Sequence, residues 1–251
     1  GDHFGVGHIF LAGEAPGLFY GYVTQGIVQK EDITENGIKY IKQDGSVGYY
    51  QTVNKTTPVA GDVKYVDRNG DGVVDDNDRD IIGNPNPDFT YGFQTKVSWK
   101  SLSLSASFNG VQGRDILNVG NRYNNTPGTK SNNVTRKAFQ NMWTDENPSN
   151  LYPKSTFVVQ NMVMDRYVED GSYLRCSDIT LSYVLPAKWT NKIGIKNTSV
   201  YASVKNAFVI TDYSGYDPEV NSFAFDGLRP GVDMNSYPTP RSFVFGLNLT
   251  F

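Results

Sequence analysis

The final eleven residues, Arg241-Ser-Phe-Val-Phe-Gly-Leu-Asn-Leu-Thr-Phe251, constrain the fold more than any other stretch. Phe243, Phe245, Leu247, Leu249 and Phe251 alternate with Ser242, Val244, Gly246, Asn248 and Thr250. Side chains on a strand point alternately to opposite faces, so this is a ribbon with one wholly apolar side and an aromatic carboxy terminus. A soluble protein seldom leaves its last residue in that form. An outer-membrane barrel does, because its last strand closes the barrel and the strand's end is its assembly signal. The five apolar residues are assigned that role.

Other segments repeat the pattern. No run of about 18 apolar residues is present, which excludes a membrane-crossing helix but not a barrel, whose strands need only about 9–11 residues. In Phe89-Thr-Tyr-Gly-Phe-Gln-Thr-Lys-Val-Ser-Trp99, the residues Phe89, Tyr91, Phe93, Val97 and Trp99 share one face, opposite Thr90, Gln94, Lys96 and Ser98. After Lys100-Ser101, which reads as a hairpin turn, Leu102, Leu104, Ala106 and Phe108 oppose Ser103, Ser105, Ser107 and Asn109. A polar face this small suits a wet lumen better than a second packed sheet. Strand character returns over 172–185, 199–208 and the tail, and residues 15–29 read as one more strand or strand-like loop base. The expectation is an all-β, antiparallel transmembrane barrel segment of about six or seven strands. So few strands cannot close a wide barrel, so the chain is expected to be one part of a larger one.

The connections alternate in length. They are tight at 100–101, long at 113–170, shorter at 186–197 and long at 211–240. Barrels pair brief periplasmic turns with extended external loops, so the carboxy terminus is expected on the periplasmic side. Within the first long stretch, Val134, Ala138, Phe139 and Met142 have helical spacing and predict a short helix, which Asp145-Glu-Asn-Pro148 stops. Trp99 and Trp189 fall beside the short links, where they read as membrane-interface anchors.

Net charge is −3, which gives no basic face and argues against nucleic acid. A single cysteine, Cys176, excludes an internal disulfide and a Cys-based zinc cluster, and two histidines, His3 and His8, supply little for His-dependent catalysis. No enzymatic activity is expected. Acid pairs such as Asp145/Glu146 and Asp217/Glu219 read as solvated loop residues, and Arg175 with Asp178 as an internal ion pair on the lumen side or at a bulge.

One segment spells out a metal loop. Asp67-Arg-Asn-Gly-Asp-Gly-Val-Val-Asp-Asp-Asn-Asp78 matches the calcium-loop spacing, with an acid at its twelfth position. Asp67, Asn69 and Asp71 would give side-chain oxygens and Val73 its carbonyl; Asp75 would bind directly or through water, and Asp78 would replace the usual Glu. The competing reading is an Asp/Gly-rich turn satisfied by its own amides. Calcium (Ca2+) here would stiffen an external loop within segment 61–88. Tyr20, Tyr22, Tyr213, Tyr216, Phe223 and Phe225 lie on glycine-rich or loop segments, where aromatics stack on sugar rings, anchor a partner, or simply pack the loop core.

The order of motifs resembles the SusC/RagA-like TonB-dependent outer-membrane transporters of Bacteroidetes. The resemblance is carried by Pro16-Gly-Leu-Phe-Tyr-Gly-Tyr-Val-Thr-Gln-Gly-Ile27, Gly61-Asp-Val-Lys-Tyr-Val-Asp-Arg-Asn-Gly-Asp-Gly72 and Asp78-Arg-Asp-Ile-Ile-Gly-Asn-Pro-Asn-Pro-Asp-Phe89. It continues in Gly171-Ser-Tyr-Leu-Arg175, Leu181-Ser-Tyr-Val-Leu-Pro186, Tyr213-Ser-Gly-Tyr-Asp-Pro-Glu219 and Tyr237-Pro-Thr-Pro-Arg241. These look like the family's last quarter. The resemblance implies a barrel of about 22 strands with an amino-terminal plug, energised through TonB and capped by a SusD-like surface lipoprotein. It implies import of oligosaccharides or peptides. The plug, the TonB-contacting segment and most of the barrel are expected to lie outside these residues. A soluble calcium-binding β-sandwich that binds carbohydrate is the alternative, and a sandwich would show connections of similar length at both ends.

Overall fold

A computed structural model describes residues 7–126, 133–155, 162–190, 195 and 197–250. The chain divides into two compact units. Pro87–Arg114, Asp170–Glu219 and Tyr237–Phe251 form a strand unit, and Gly1–Asn86, Asp115–Glu169 and Val220–Ser236 form a loop unit.

The strand unit is one antiparallel sheet of five strands in chain order: β1 (Phe89–Trp99), β2 (Leu102–Gln112), β3 (Tyr173–Val184), β4 (Asn197–Thr211) and β5 (Ser242–Thr250). Register follows the alternation. Phe93 faces Phe108 with rings stacked 4.5 Å apart, Leu104 faces Leu181, and Ala202 faces Phe245. This apolar face is open: Phe93 is 51% exposed, Val97 64% and Phe245 79%. The opposite face is a ladder of small polar groups. Ser98 and Ser103 hydroxyls meet at 2.8 Å, Gln94 Nε2 donates to Ser107 at 3.1 Å, and Asp178 pairs with Lys205 at 2.6 Å. Tyr201 also sits on that side, its ring covering Gly246 so closely that a Cβ there would lie 2.2 Å from it. Among the described residues β1 and β5 each pair on one side only.

Two local irregularities shape the sheet. Lys100 takes a left-handed backbone (φ 52°) in the two-residue β1–β2 turn. Register also shifts between Cys176 and Asp178 against both neighbouring strands. That bulge keeps Arg175 and Asp178, three residues apart, on the same polar face, where regular alternation would split them.

The loop unit has its own core. Phe19, Tyr22, Ile27, Val28, Tyr40, Tyr50, Tyr65 and Val74 from the first stretch pack with Leu117, Trp143, Met164 and Tyr167 from the second and Phe223 and Val232 from the third. Short sheets frame it, including a meander of Ile33–Thr34, Gly37–Ile41 and Val47–Tyr50, and a three-stranded sheet of His8–Ile9, Leu18–Tyr22 and Arg79–Gly83. Two helices join them. α1 (Val119–Asn125) is capped by the Asn118 side chain accepting from Asn121 N, and α2 (Arg136–Asn141) by Thr135 accepting from Ala138 N.

The predicted helix near 134–143 is thus present as α2, while α1 had no periodic signal. The sheet carries five strands rather than six or seven. The difference is residues 15–29, which form Leu18–Tyr22 and Thr24–Ile27 in two small sheets of the loop unit. The glycines at 17, 21 and 26 break the period there, and both faces of Leu18–Tyr22 are buried, as its burial at Leu18, Phe19, Gly21 and Tyr22 shows.

Candidate functional site

The Asp67–Asp78 loop belongs to the loop unit and is anchored to its core, because the buried Tyr40 hydroxyl donates to Asp67 O at 2.7 Å. Gly72 takes the left-handed backbone (φ 85°) that the sharp turn needs. Asp67 and Asp78 turn inward and are buried. Asp67 accepts Gly70 N at 2.6 Å and Gly72 N at 2.8 Å, and Asp78 accepts Arg68 N and Asp75 N, both at 2.8 Å. Asp71 accepts Val73 N at 2.9 Å and bonds Asn69, and Asp75 caps a short 3-10 turn through Asn77 N. The six nominated donors therefore lie on one loop, where the side-chain oxygens of Asp67, Asn69, Asp71, Asp75 and Asp78 are engaged by its own amides and Val73 pairs with the strand at Thr52. Among the described residues no three acidic, His or Cys side chains gather to hold a metal ion. Burial raises the Asp67 carboxyl above its ordinary value, against the Gly72 and Gly70 amides and with help from Asp78 and Asp71.

A second constellation lies in the strand unit. Arg175 on β3 is buried and donates to Asp217 at 2.5 Å, with Nε 3.2 Å from Glu219. Asp217 also accepts Glu219 N at 2.9 Å and, from the returning limb of its loop, Thr239 N at 3.0 Å. Glu219 accepts the Tyr173 hydroxyl at 2.7 Å and Asn109 Nδ2 at 3.0 Å, and Arg114 donates to Pro218 O. Burial works against the Asp217 charge, yet the Glu219 and Thr239 amides and Arg175 outweigh it and hold its carboxyl below the ordinary value. One carboxylate thus fixes a strand and both limbs of the 212–241 connection.

The chain has relatives among known proteins, and its fold has counterparts among solved structures. No family model matches the chain. TonB-dependent receptor P3 of Formosa agariphila is 33% identical over 248 residues, which cover 97% of this chain and 23% of that protein. The chain belongs to the TonB-dependent receptor family. TonB-dependent receptor SusC of Bacteroides thetaiotaomicron is 34% identical over 194 residues, covering 74% of this chain and 17% of that protein. Among solved structures, the RagAB peptide importer in the open-open state superposes with TM-score 0.65 at 25% identity, over 99% of this chain and 25% of that one. The chain spans about a quarter or less of the length of these relatives.

Within this receptor segment the aromatic candidates separate. Tyr22, Tyr213 and Phe223 are buried, Tyr20 is half-buried, and only Tyr216 and Phe225 are exposed, at 75% and 84%. Tyr22 belongs to the core, its ring edge-on to Tyr65. The terminal-strand residues Phe243, Phe245, Leu247 and Leu249 are exposed on the apolar face of β5, and Phe251 lies outside the described residues. Trp99 and Trp189, beside the short links, are 69% and 65% exposed. The sandwich alternative fails, because the chain belongs to the receptor family and its strand unit is one sheet whose apolar face is open.

Sequence reasoning missed the Arg175 cluster. Asp217 is not a solvated loop residue, and Arg175 does not pair with Asp178: Arg175 takes Asp217 and Asp178 takes Lys205. Three of the motifs that carry the family resemblance, those ending at Arg175, Glu219 and Arg241, converge on this cluster, which was the available signal.

Proposed function

We propose that this chain is the carboxy-terminal barrel portion of a SusC-like receptor that imports a nutrient across the outer membrane. The carrying observation is the five-stranded sheet, of membrane-crossing strand length, whose apolar face is open and whose opposite face is a polar ladder. Oligosaccharides are the cargo class we favour, with peptides as the second, since the solved neighbours are described as a peptide importer. The family resemblance supports a SusD-like surface lipoprotein as partner and coupling to TonB through a plug outside these residues. The test is whole-cell uptake of labelled oligosaccharides and peptides in a strain lacking this protein and in one lacking TonB. Loss of one cargo class in both strains is expected. Undiminished uptake of both classes in the deletion strain would sink the proposal.

For the Asp67–Asp78 loop we propose calcium as a structural ion. Support comes from two enclosed carboxylates on one loop, whose mutual repulsion a divalent cation relieves, and from a donor order that suits calcium. Limited proteolysis of the loop during a calcium titration is the measurement, and no added protection at millimolar calcium would count against the ion.

A further inference from the structure

Four segments of the strand unit meet around a cavity of about 150 Å³. β3 contributes Arg175, β4 contributes Asn206, the outgoing limb Tyr216 and Asp217, and the returning limb Thr239 and Arg241. The floor is closed chemistry, for the buried Arg175 guanidinium is matched by Asp217 and Glu219. The wall is different. Asn206 sits in the β4 irregularity with left-handed backbone (φ 52°), a conformation asparagine tolerates. From there its carbonyl accepts Arg241 Nε at 3.4 Å, and its Nδ2 donates to Pro240 O at 3.0 Å. Arg241 is held through Nε, and among the described residues its guanidinium has no acidic partner. Its terminal nitrogens, with their paired N–H groups, are free to meet a planar anion. Over the same cavity the Tyr216 ring stands 75% exposed.

We infer that this cavity is a subsite for a carboxylate carried on a compact body: Arg241 takes the carboxylate and Tyr216 covers the body. A volume near 150 Å³ accommodates a group about the size of one six-membered ring. The polar floor contributes shape, since Arg175 and Arg114 together stand against the two carboxylates Asp217 and Glu219. The inference rests on the import reading for the origin of the ligand, because an acidic sugar residue and the carboxy-terminal residue of a peptide share this chemistry.

The experiment uses the intact protein in detergent and four probes: glucuronate and N-acetylphenylalanine as carboxylates, with glucose and N-acetylphenylalanine amide as their uncharged counterparts. Binding is read by calorimetry. At least one carboxylate should bind at millimolar concentration or tighter and its uncharged counterpart at least tenfold more weakly; which carboxylate binds assigns the source. Arg241→Gln should lower the affinity at least tenfold and Arg241→Lys less, and Tyr216→Ala, at an exposed ring, should weaken binding severalfold while the barrel still shows heat-modifiable migration. Equal binding of acid and neutral probes, no binding of either acid, or unchanged affinity in Arg241→Gln with a folded barrel would each overturn the subsite. Uptake in the strain lacking the protein is independent of these titrations, so failure here is separable from failure of the import proposal.

Discussion

Replacing Asp217 by Asn keeps the side chain's size and removes the charge that Arg175 faces at 2.5 Å. A buried cation that loses the nearer of its two carboxylates is costly, so Asp217→Asn should destabilise the protein by about 3 kcal/mol, read from denaturant unfolding in lipid vesicles. The acid response separates this carboxylate from Asp67. Asp217 is held below its ordinary value of 3.8, so its contribution is complete above that pH and is lost as pH falls through its lower folded value. Asp67 is held above 3.8, mainly by burial, so the folded loop takes up a proton before the unfolded one does and gains stability as pH falls through that raised value. Hydrogen exchange should therefore show the Gly70 and Gly72 amides becoming better protected as pH is lowered from neutral towards 4. The Glu219 and Thr239 amides should hold over that range and lose protection only below it. Parallel behaviour at the two sites would contradict the assignment of burial at one and amide bonding at the other.

The strand alternation makes an equally direct demand of β5. Phe245 and Val244 are neighbours, but Phe245 pairs with Ala202 on the apolar face and Val244 with Ser203 on the polar face. Arginine at 245 would place a charge in lipid near the middle of the strand, at a cost of about 2–4 kcal/mol. Phe245→Arg should lower the unfolding free energy in lipid vesicles by that amount and reduce the assembled barrel recovered from cells, while Val244→Arg should change both far less. Equal effects would mean that the two faces are not lipid and water. Such elements were legible in the sequence because their period of two is sustained, interrupted in β3 only by the bulge between Cys176 and Asp178: β1, β2, β3 and β5 appear at nearly the predicted bounds, and β4 was seen in its central part. The loop unit was hidden for a physical reason. Its strands are two to five residues long, too short for a period to show, and they bury Tyr40, Tyr50 and Tyr65 through contacts between distant stretches. Asp217 was misread for a related cause, since its burial depends on an arginine forty-two residues earlier in the chain.

At the scale of the whole molecule, connectivity carries a prediction about sidedness. The three stretches that build the loop unit precede β1, join β2 to β3 and join β4 to β5, so in an antiparallel sheet they all leave from the same end of the strands. The two-residue β1–β2 turn and the link from β3 to β4 leave from the other. Outer-membrane barrels place extended loops outside and brief turns in the periplasm, which predicts that the long connections are exposed at the cell surface and that β5 ends in the periplasm. The chain is suited to a labelling test because its one cysteine, Cys176, is buried and gives little background. Cysteines placed at Asp44 and Phe225, both exposed in the loop unit, should react in intact cells with a maleimide that cannot cross the membrane. A cysteine at Ser101, in the β1–β2 turn, should react only once the outer membrane has been opened. Labelling of Ser101→Cys in intact cells, with Asp44→Cys and Phe225→Cys silent until the membrane is opened, would invert the topology. It would also remove the calcium proposal's physical setting, because the Asp67–Asp78 loop would then face the periplasm instead of the outside.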